Sequence, residues 1–390
     1  MKHLGRLFCI ALLCSPSLAR GEVRRTDSDS VTTSAVKEKV SLIDRIYDYF
    51  ERSNDDNPNK RFDISFIGGP HYSQEAGVGL GIVGSGRYRH SGDEGDELTP
   101  YSNVSLKFDV STNGFYEVGA EGYHIFPHDK FRINYDTKFY YASDKFWGIG
   151  YDNNRIDDNE SRYDFLKANL RTDILFALAE NIFIGQRMQF EFGHARHIER
   201  TELFDGQDLS VRSMGLGLVF MLDTRDYPTG PEHGVLVQLS QTFHPRTAGC
   251  QYKFSVTSIS TSVYHPLWQG ATLASMAHAR LTYGNTPWCF LSTIGGSKIM
   301  RGYYEGRYRD KNVIDATVEL RQKVWRRNGL VVWGGAAVLF ANVDEVRWRR
   351  VLPNWGVGYR WEFKKHVNVR LDLGFGRGQK GVNFSINEAF

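Results

Sequence analysis

The chain has 390 residues, a formal net charge of +3 and no dominant block of one sign, which excludes a nucleic-acid partner on charge grounds. Hydrophobic residues make up 41%, aromatics 14%, and glycine outnumbers proline 39 to 11. Past the N-terminus no apolar run approaches the ~18 residues a spanning helix needs, so the open classes are a soluble multi-strand protein and a β-barrel of the outer membrane.

The first element is a targeting segment. Lys2, His3 and Arg6 form a positive end, "LFCIALLC" (7–14) an apolar core, and Ser17-Leu18-Ala19 a small-residue cleavage point. This pattern predicts a secretory signal peptide over 1–19 and export from the cytoplasm. A lipoprotein signal ending at Cys14 is the alternative, for which Leu13 is a poor preceding residue. Residues 20–60 form a short periplasmic segment, too short for a second globular domain. Within it Val36, Val40, Ile43, Tyr47 and Phe50 make one apolar stripe, predicting an amphipathic helix over 36–52. "SNDDNPNK" (53–60), with Pro58, stops it. Such a helix can lie on the membrane surface or barrel rim, or serve as a plug or docking peptide for a periplasmic partner.

From 61 onward the pattern has period two. "VSLKFDV" (104–110) puts Val104, Leu106, Phe108 and Val110 on one face, and Ser105, Lys107 and Asp109 on the other. "IFIGQRMQFEF" (182–192) opposes Arg187, Gln189 and Glu191 to an apolar row. "IDATVELRQKV" (314–324) and "VNVRLDLGF" (367–375) repeat the arrangement, with Glu319, Arg370 and Asp372 on their polar faces. About sixteen strands follow: 62–69, 76–88, 101–112, 114–125, 131–142, 161–175, 181–193, 211–222, 234–244, 252–264, 271–283, 312–325, 329–341, 355–363, 366–375 and 381–390.

Alternation alone fits a soluble sandwich equally well; strand length and loop lengths separate the two. Many strands run about nine to twelve residues, the length of a tilted membrane strand rather than the ~5–6 of soluble sheets. Short connections ("FPHDK", "HPLWQ", "WRRNG", "FKKH") alternate with long ones at 142–161, 193–210 and 284–311. Brief periplasmic turns and long outer loops are the habit of outer-membrane barrels. The prediction is an all-β transmembrane antiparallel barrel over 61–390, with 284–311 as its sixth outer loop.

Familiar chemistry is missing. "GLGIVG" (79–84) has dinucleotide-loop spacing, but it lies in an alternating strand without the helix that cradles a pyrophosphate. "HARH" (194–197) lacks a third ligand for a metal. No Ser/His pair with an orienting acid stands at a recognisable spacing. The expectation is a protein that is not an enzyme and uses no cofactor or metal.

Several stretches carry a family likeness. "MRGYYEGRYRD" (300–310) resembles the (V/I)RG(F/Y) loop of the BamA/TamA bacterial surface antigen family of sixteen-stranded outer-membrane barrels. "LGLVFMLDTRDYPTGPEHGVLVQLSQTF" (216–243) resembles that family's central strand–turn–strand, with Asp223, Arg225, Asp226, Pro228, Gly230 and Gly234 in the turn. "VELRQKV", "GGAAVLFANVDEV" and "NWGVGYRWEF" through "NFSINEAF" resemble its later strands. The terminal Phe390 resembles the aromatic assembly signal of outer-membrane proteins. The likeness covers about 215–390 well and the rest loosely.

The resemblance implies a location in the bacterial outer membrane and a role in inserting or translocating proteins, or lipids, there. Outer-membrane lipids, client outer-membrane proteins and a separate periplasmic partner are the implied partners, the last because the family's periplasmic repeat domains have no counterpart here. A passive pore or structural barrel is the alternative. It further implies that the loop folds into the lumen and that Arg301, next to Gly302 and Tyr303, pairs with inward acids. Glu319 fits one place; the second acidic position corresponds to Asn342, which lacks the charge. The turn around Asp223 is expected to be a charge-paired structural feature. Weak pairing between the first and last strands lets such barrels open sideways, and "FDISFIGGP" is expected to be a short first strand. Cys250 and Cys289 fall in the fifth and sixth outer loops, where an oxidising compartment allows either a disulfide or two free thiols.

Overall fold

The structure, a computed structural model, describes residues 62–73, 76–88, 101–247 and 250–390. The expected signal peptide, the expected 36–52 helix and the rest of the 20–60 segment lie outside these residues. Sixteen antiparallel strands form one sheet in sequence order. They are β1 (Phe62–Ser73), β2 (Gly77–Tyr88), β3 (Ser102–Ser111), β4 (Tyr116–Ile125), β5 (Phe131–Phe146), β6 (Ser161–Ala179), β7 (Ile182–Arg196) and β8 (Ser210–Asp223). The second half comprises β9 (Gly234–His244), β10 (Phe254–Trp268), β11 (Ala271–Gly284), β12 (Asn312–Trp325), β13 (Asn328–Phe340), β14 (Leu352–Lys364), β15 (Val367–Gly376) and β16 (Gln379–Ile386). Among the described residues no helix is long and apolar enough to cross a membrane; the strands do so.

The period-two pattern sets the two faces. Leu106, Phe108, Val110, Leu216, Leu218, Val318, Val332 and Leu371 point outward and are exposed, whereas Asp109, Glu117, Asp173, Glu319, Arg370 and Asp372 are buried inside. A continuous exposed apolar band around a polar interior is the arrangement that hydrocarbon outside and water inside select. Trp268 and Trp325 stand exposed beside the short turns, as aromatic residues do at a membrane interface. The interior is neutralised pairwise. Glu117 Oε1 and Oε2 meet Lys107 and Lys138 at 2.9 Å each, and Asp173 holds the Arg187 Nε at 2.7 Å.

The glycines of "GLGIVG" have a packing reason. A Cβ on Gly79 would lie 2.6 Å from His71 Nε2, and one on Gly81 3.1 Å from Asp109 Oδ2. The bare β2 backbone thus makes room for the inward His71–Asp109 pair, 2.8 Å apart.

Three features depart from the sequence reading. Outer connections 74–76 and 112–115 are short, so long outer loops begin only after β5. The first strand is not short: β1 pairs with β2 from Phe62↔Tyr88 to Ser73↔Gly77, straight through Gly68, Gly69 and Pro70. An edge strand tolerates the missing N–H of proline, and the close approach of Gly68 to the Gly81 carbonyl, where a Cβ would sit at 2.9 Å, explains the glycine. At the other end β16 stops at Ile386, because Asn387 adopts φ 64° and leads the tail off the sheet. Asn387 N–H bonds Asn368 O at 2.8 Å, and Glu388 and Ala389 are buried.

β1 and β16 approach each other within 8 Å, closing the barrel. Among the described residues, however, no β-ladder joins them; the hydrogen-bonded order starts at one and ends at the other.

Candidate functional site

The sixth outer loop, 285–311, packs against inward-facing residues of the wall. Its two arms pair as a minimal ladder, Ser292–Thr293 with Arg309–Asp310. Between them the chain bonds to itself: Gly295 N–H to Ile299 O at 3.1 Å, Gly296 N–H to Tyr303 O at 3.1 Å and Gly306 N–H to Ile294 O at 3.1 Å. Gly295, Gly296, Gly302 and Gly306 all have positive φ, which is why this run is glycine-rich.

The loop carries its own apolar core. Ile294, Met300, Tyr303 and Tyr308 pack on Val313, Ala337, Leu339 and Leu352 of the wall. Those wall positions are inward-facing yet apolar, so the polar-inside rule is broken where the loop covers the wall. The Tyr303 hydroxyl donates to Pro353 O at 2.7 Å and accepts from Arg377 N–H at 2.8 Å; burial pushes this phenol up to about 12. Tyr304 reaches the other way, its hydroxyl donating to Asp144 Oδ1 at 2.9 Å. β5, which carries Asp144, and β14, which carries Pro353, lie on roughly opposite walls of the sixteen-strand ring, so adjacent tyrosines brace the loop across the lumen.

At the tip, Arg301 is 1% exposed and its guanidinium is held by two carboxylates that are both 0% exposed. Nη1 donates to Asp372 Oδ2 at 2.8 Å and Nη2 donates to Glu319 Oε2. The flat face lies 3.8 Å from the Trp333 ring centroid. Asn354 Nδ2 donates to Arg301 O at 3.0 Å. Both carboxylates are shared: Glu319 also accepts from Arg321 Nε at 2.7 Å, and Asp372 from Arg360 Nη1 at 2.6 Å and Arg370 Nη1 at 2.9 Å. Arg360 and Arg321 carry the network to the tail. Arg360 Nε donates to Glu388 Oε2 at 2.9 Å, and Arg321 Nη2 to Phe390 O at 3.1 Å. Low dielectric and shared carboxylates make such a network stiff and make the loss of any one member costly.

Asn342 is not part of this site, which corrects the expected second partner. It lies beyond the outer end of β13, exposed, capping the turn Val343–Glu345 with its N–H and Nδ2 on Glu345 Oε1 at 3.3 Å each. The lock sits lower, at the level where Glu319 pairs with Trp333 across β12 and β13. The second acid therefore comes from β15, as Asp372. Its signal in the sequence was the inward row Asp372, Gly374, Gly376: a carboxylate followed by two positions without side chains, where the loop backbone docks at Gly374 and the Tyr303 ring at Gly376.

The turn after β8 is held by its own charges. Arg225 donates to both Asp223 oxygens, at 2.8 and 3.1 Å, and to Pro228 O at 3.1 Å. Asp226 Oδ1 accepts from Tyr227 and Glu232 N–H at 2.9 and 3.1 Å. Gly234 has φ 107°, and a Cβ on Gly230 would lie 2.6 Å from His366 O. The two cysteines are both buried free thiols. Cys289 packs among Phe165, Phe254, Trp288 and Phe290, a cluster that does not include Cys250, and this commits its sulfur to packing rather than to a bridge. His197 of "HARH" pairs with Asp164 at 2.7 Å.

A sixteen-stranded antiparallel barrel with an apolar outside and a polar inside defines the class as an outer-membrane β-barrel. The Omp85 superfamily domain matches residues 98–390, and the chain belongs to that superfamily of the bacterial outer membrane. Comparison with curated protein sequences gives no match. In fold the chain is similar to BamA from Haemophilus ducreyi lacking POTRA domains 1–3, at 13% identity and a TM-score of 0.53, over 85% of this chain and 70% of that one. It is similarly related to CdiB from Escherichia coli (12% identity, TM-score 0.52, 85% of this chain and 62% of that one). CdiB from Acinetobacter baumannii gives 9% identity and a TM-score of 0.51, over 84% and 60%. The chain thus spans less than two thirds of the length of the CdiB structures.

Proposed function

We propose that this barrel assists the insertion or passage of proteins, or of lipids, at the outer membrane by parting its wall between β1 and β16, without bond-making chemistry. The observation that carries the reading is the seam, where two full strands meet without a ladder. The loop lies against the same wall. Asn383 of β16 donates from Nδ2 to Gly296 O at 3.3 Å, and Gln379 Oε1 accepts from Tyr304 N–H at 3.0 Å. The Arg301 lock would hold loop and wall together while the seam is at rest. Client outer-membrane proteins and a separate periplasmic chain that captures them belong to this reading. Depleting the protein and quantifying other outer-membrane proteins and surface lipids tests it. A selective fall is expected; unchanged levels of all of them would overturn it.

A passive pore is the rival, favoured by the mixed-charge interior of Lys107, Glu117, Lys138, Asp173 and Arg187. Planar-bilayer conductance separates the two. A large, steady open channel supports the pore, and a mostly closed, flickering one supports an occluding loop.

A further inference from the structure

At the rim that carries the short turns, a cleft of about 90 Å³ lies between the inner wall of β12 and β14 and the turns at Gly230, Gly270 and His366. Arg321, Lys323, Arg327 and Arg360 line it, together with His366. Glu232 also lines it, and two of its carboxylates are already engaged, Glu388 by Arg360 and Asn368 and Glu362 by Lys323 Nζ at 3.0 Å and His366 N–H at 3.2 Å. Its donors are not. Arg321 Nη1 and Arg360 Nη2 are buried without a hydrogen-bond partner among the described residues, as is His366 Nε2. The Arg360 side chain is only 5% exposed.

An N–H of a buried guanidinium left without an acceptor carries a full desolvation cost, and two such donors beside a third from His366, all on residues lining one cleft, favour an occupant that offers acceptors only. Arg321 and Arg360 already pair with Glu319, Asp372 and Glu388, so the occupant is recognised by its acceptors rather than by an unpaired charge. Burial also lowers the pKa of His366, which stacks on Tyr227 with ring centroids 3.4 Å apart. Its neutral ring offers Nε2–H without adding charge.

We propose that this cleft is a binding site for a compact oxyanion, with Arg321 Nη1 and Arg360 Nη2 as its charged donors and His366 Nε2 as the neutral third. It requires only the closed barrel and does not depend on the insertion reading. A phosphate from solution and the phosphate of a lipid head group offer the same acceptors.

The test uses the full chain refolded in phosphatidylcholine nanodiscs, with inorganic phosphate titrated against chloride at constant ionic strength and binding followed by the heat-unfolding midpoint and by ³¹P line width. Saturable binding is expected, weakened at least tenfold in both Arg360→Lys and His366→Gln, with folding of each variant checked by its unheated gel mobility. Repeating the titration with phosphatidylglycerol in the disc assigns the source: a raised apparent Kd means the head group occupies the cleft, an unchanged one means a solute site. No saturable effect in the wild type would overturn the proposal. So would affinity unchanged in either folded variant, which would mean an adventitious ion only.

Discussion

Gly302 of the sixth loop and Gly374 of β15 meet backbone against backbone. A Cβ on Gly302 would lie 2.6 Å from Gly374 C, and a Cβ on Gly374 would lie 2.6 Å from Arg301 O. Gly302 also has φ 110°, outside the range of other L residues. No side chain could yield, because both obstacles are main chain. Gly302→Ala should therefore cost about 2 kcal/mol or more, from backbone strain and overpacking together, and Gly374→Ala a similar amount from overpacking. Both variants should unfold at lower temperature in the unheated-gel assay, and a melting series matching wild type would refute the docking.

Arg301 next to this contact is a single cation between two buried anions. Removing it leaves Glu319 and Asp372 facing each other's charge with fewer donors, although Arg321, Arg360 and Arg370 still contact them. Arg301→Ala is expected to destabilise by ~3–5 kcal/mol, the cost of breaking a buried pair from one side. Arg301→Lys keeps the charge but loses two-point geometry and the flat stacking on Trp333, and should fall in between. Glu319→Gln in the Arg301→Ala background should cost less than the two single changes added together. Strict additivity, measured by heat-unfolding midpoints in detergent, would show that these residues do not act as a pair.

The barrel was legible because period two is a local property: each inward or outward residue declares itself within its own strand, as in Leu106-Lys107-Phe108. Arg301 and Glu319 were legible only through motif order. Asp372 was missed as the second acid because the register of three further strands decides which carboxylate comes level with Glu319. Carrying the family's second acidic position onto Asn342 failed for a simpler reason, since the strand ends at Phe340. The inward tail from Asn387 to Phe390 was read as strand because "VNFSINEAF" continues to alternate. Only the left-handed Asn387 and the pull of Arg360 on Glu388 and Arg321 on Phe390 redirect it.

Asp310, at the base of the loop, gives a pH signature. It is 2% exposed, and burial raises its carboxyl to about 6, against the lowering effect of the Lys311 N–H bond. The native state then holds this proton more tightly than the unfolded chain does. Stability contributed by the group is full below the unfolded pKa near 4 and declines as pH rises to about 6, by roughly 2–3 kcal/mol at most. Asp310→Asn should raise the unfolding midpoint at pH 8 and leave it nearly unchanged at pH 4. An equal difference between variant and wild type at both values would sink this assignment.

Cys289 tests the packing of the upper lumen. Its thiol is buried in the aromatic cluster, and burial pushes it up to about 12. At pH 8 the thiolate fraction would be about 10⁻⁴, too small for ready alkylation even before steric exclusion. In the folded barrel a bulky maleimide should leave Cys289 unmodified for hours, while denaturation should expose both Cys250 and Cys289 to rapid, stoichiometric reaction. Gel mobility should not respond to reductant, since both thiols are free. A reductant-dependent band, or failure of the denatured chain to react at both positions, would show a bridge in their place. Fast labelling of Cys289 in the native state would show that the loop leaves the lumen often enough to uncover it.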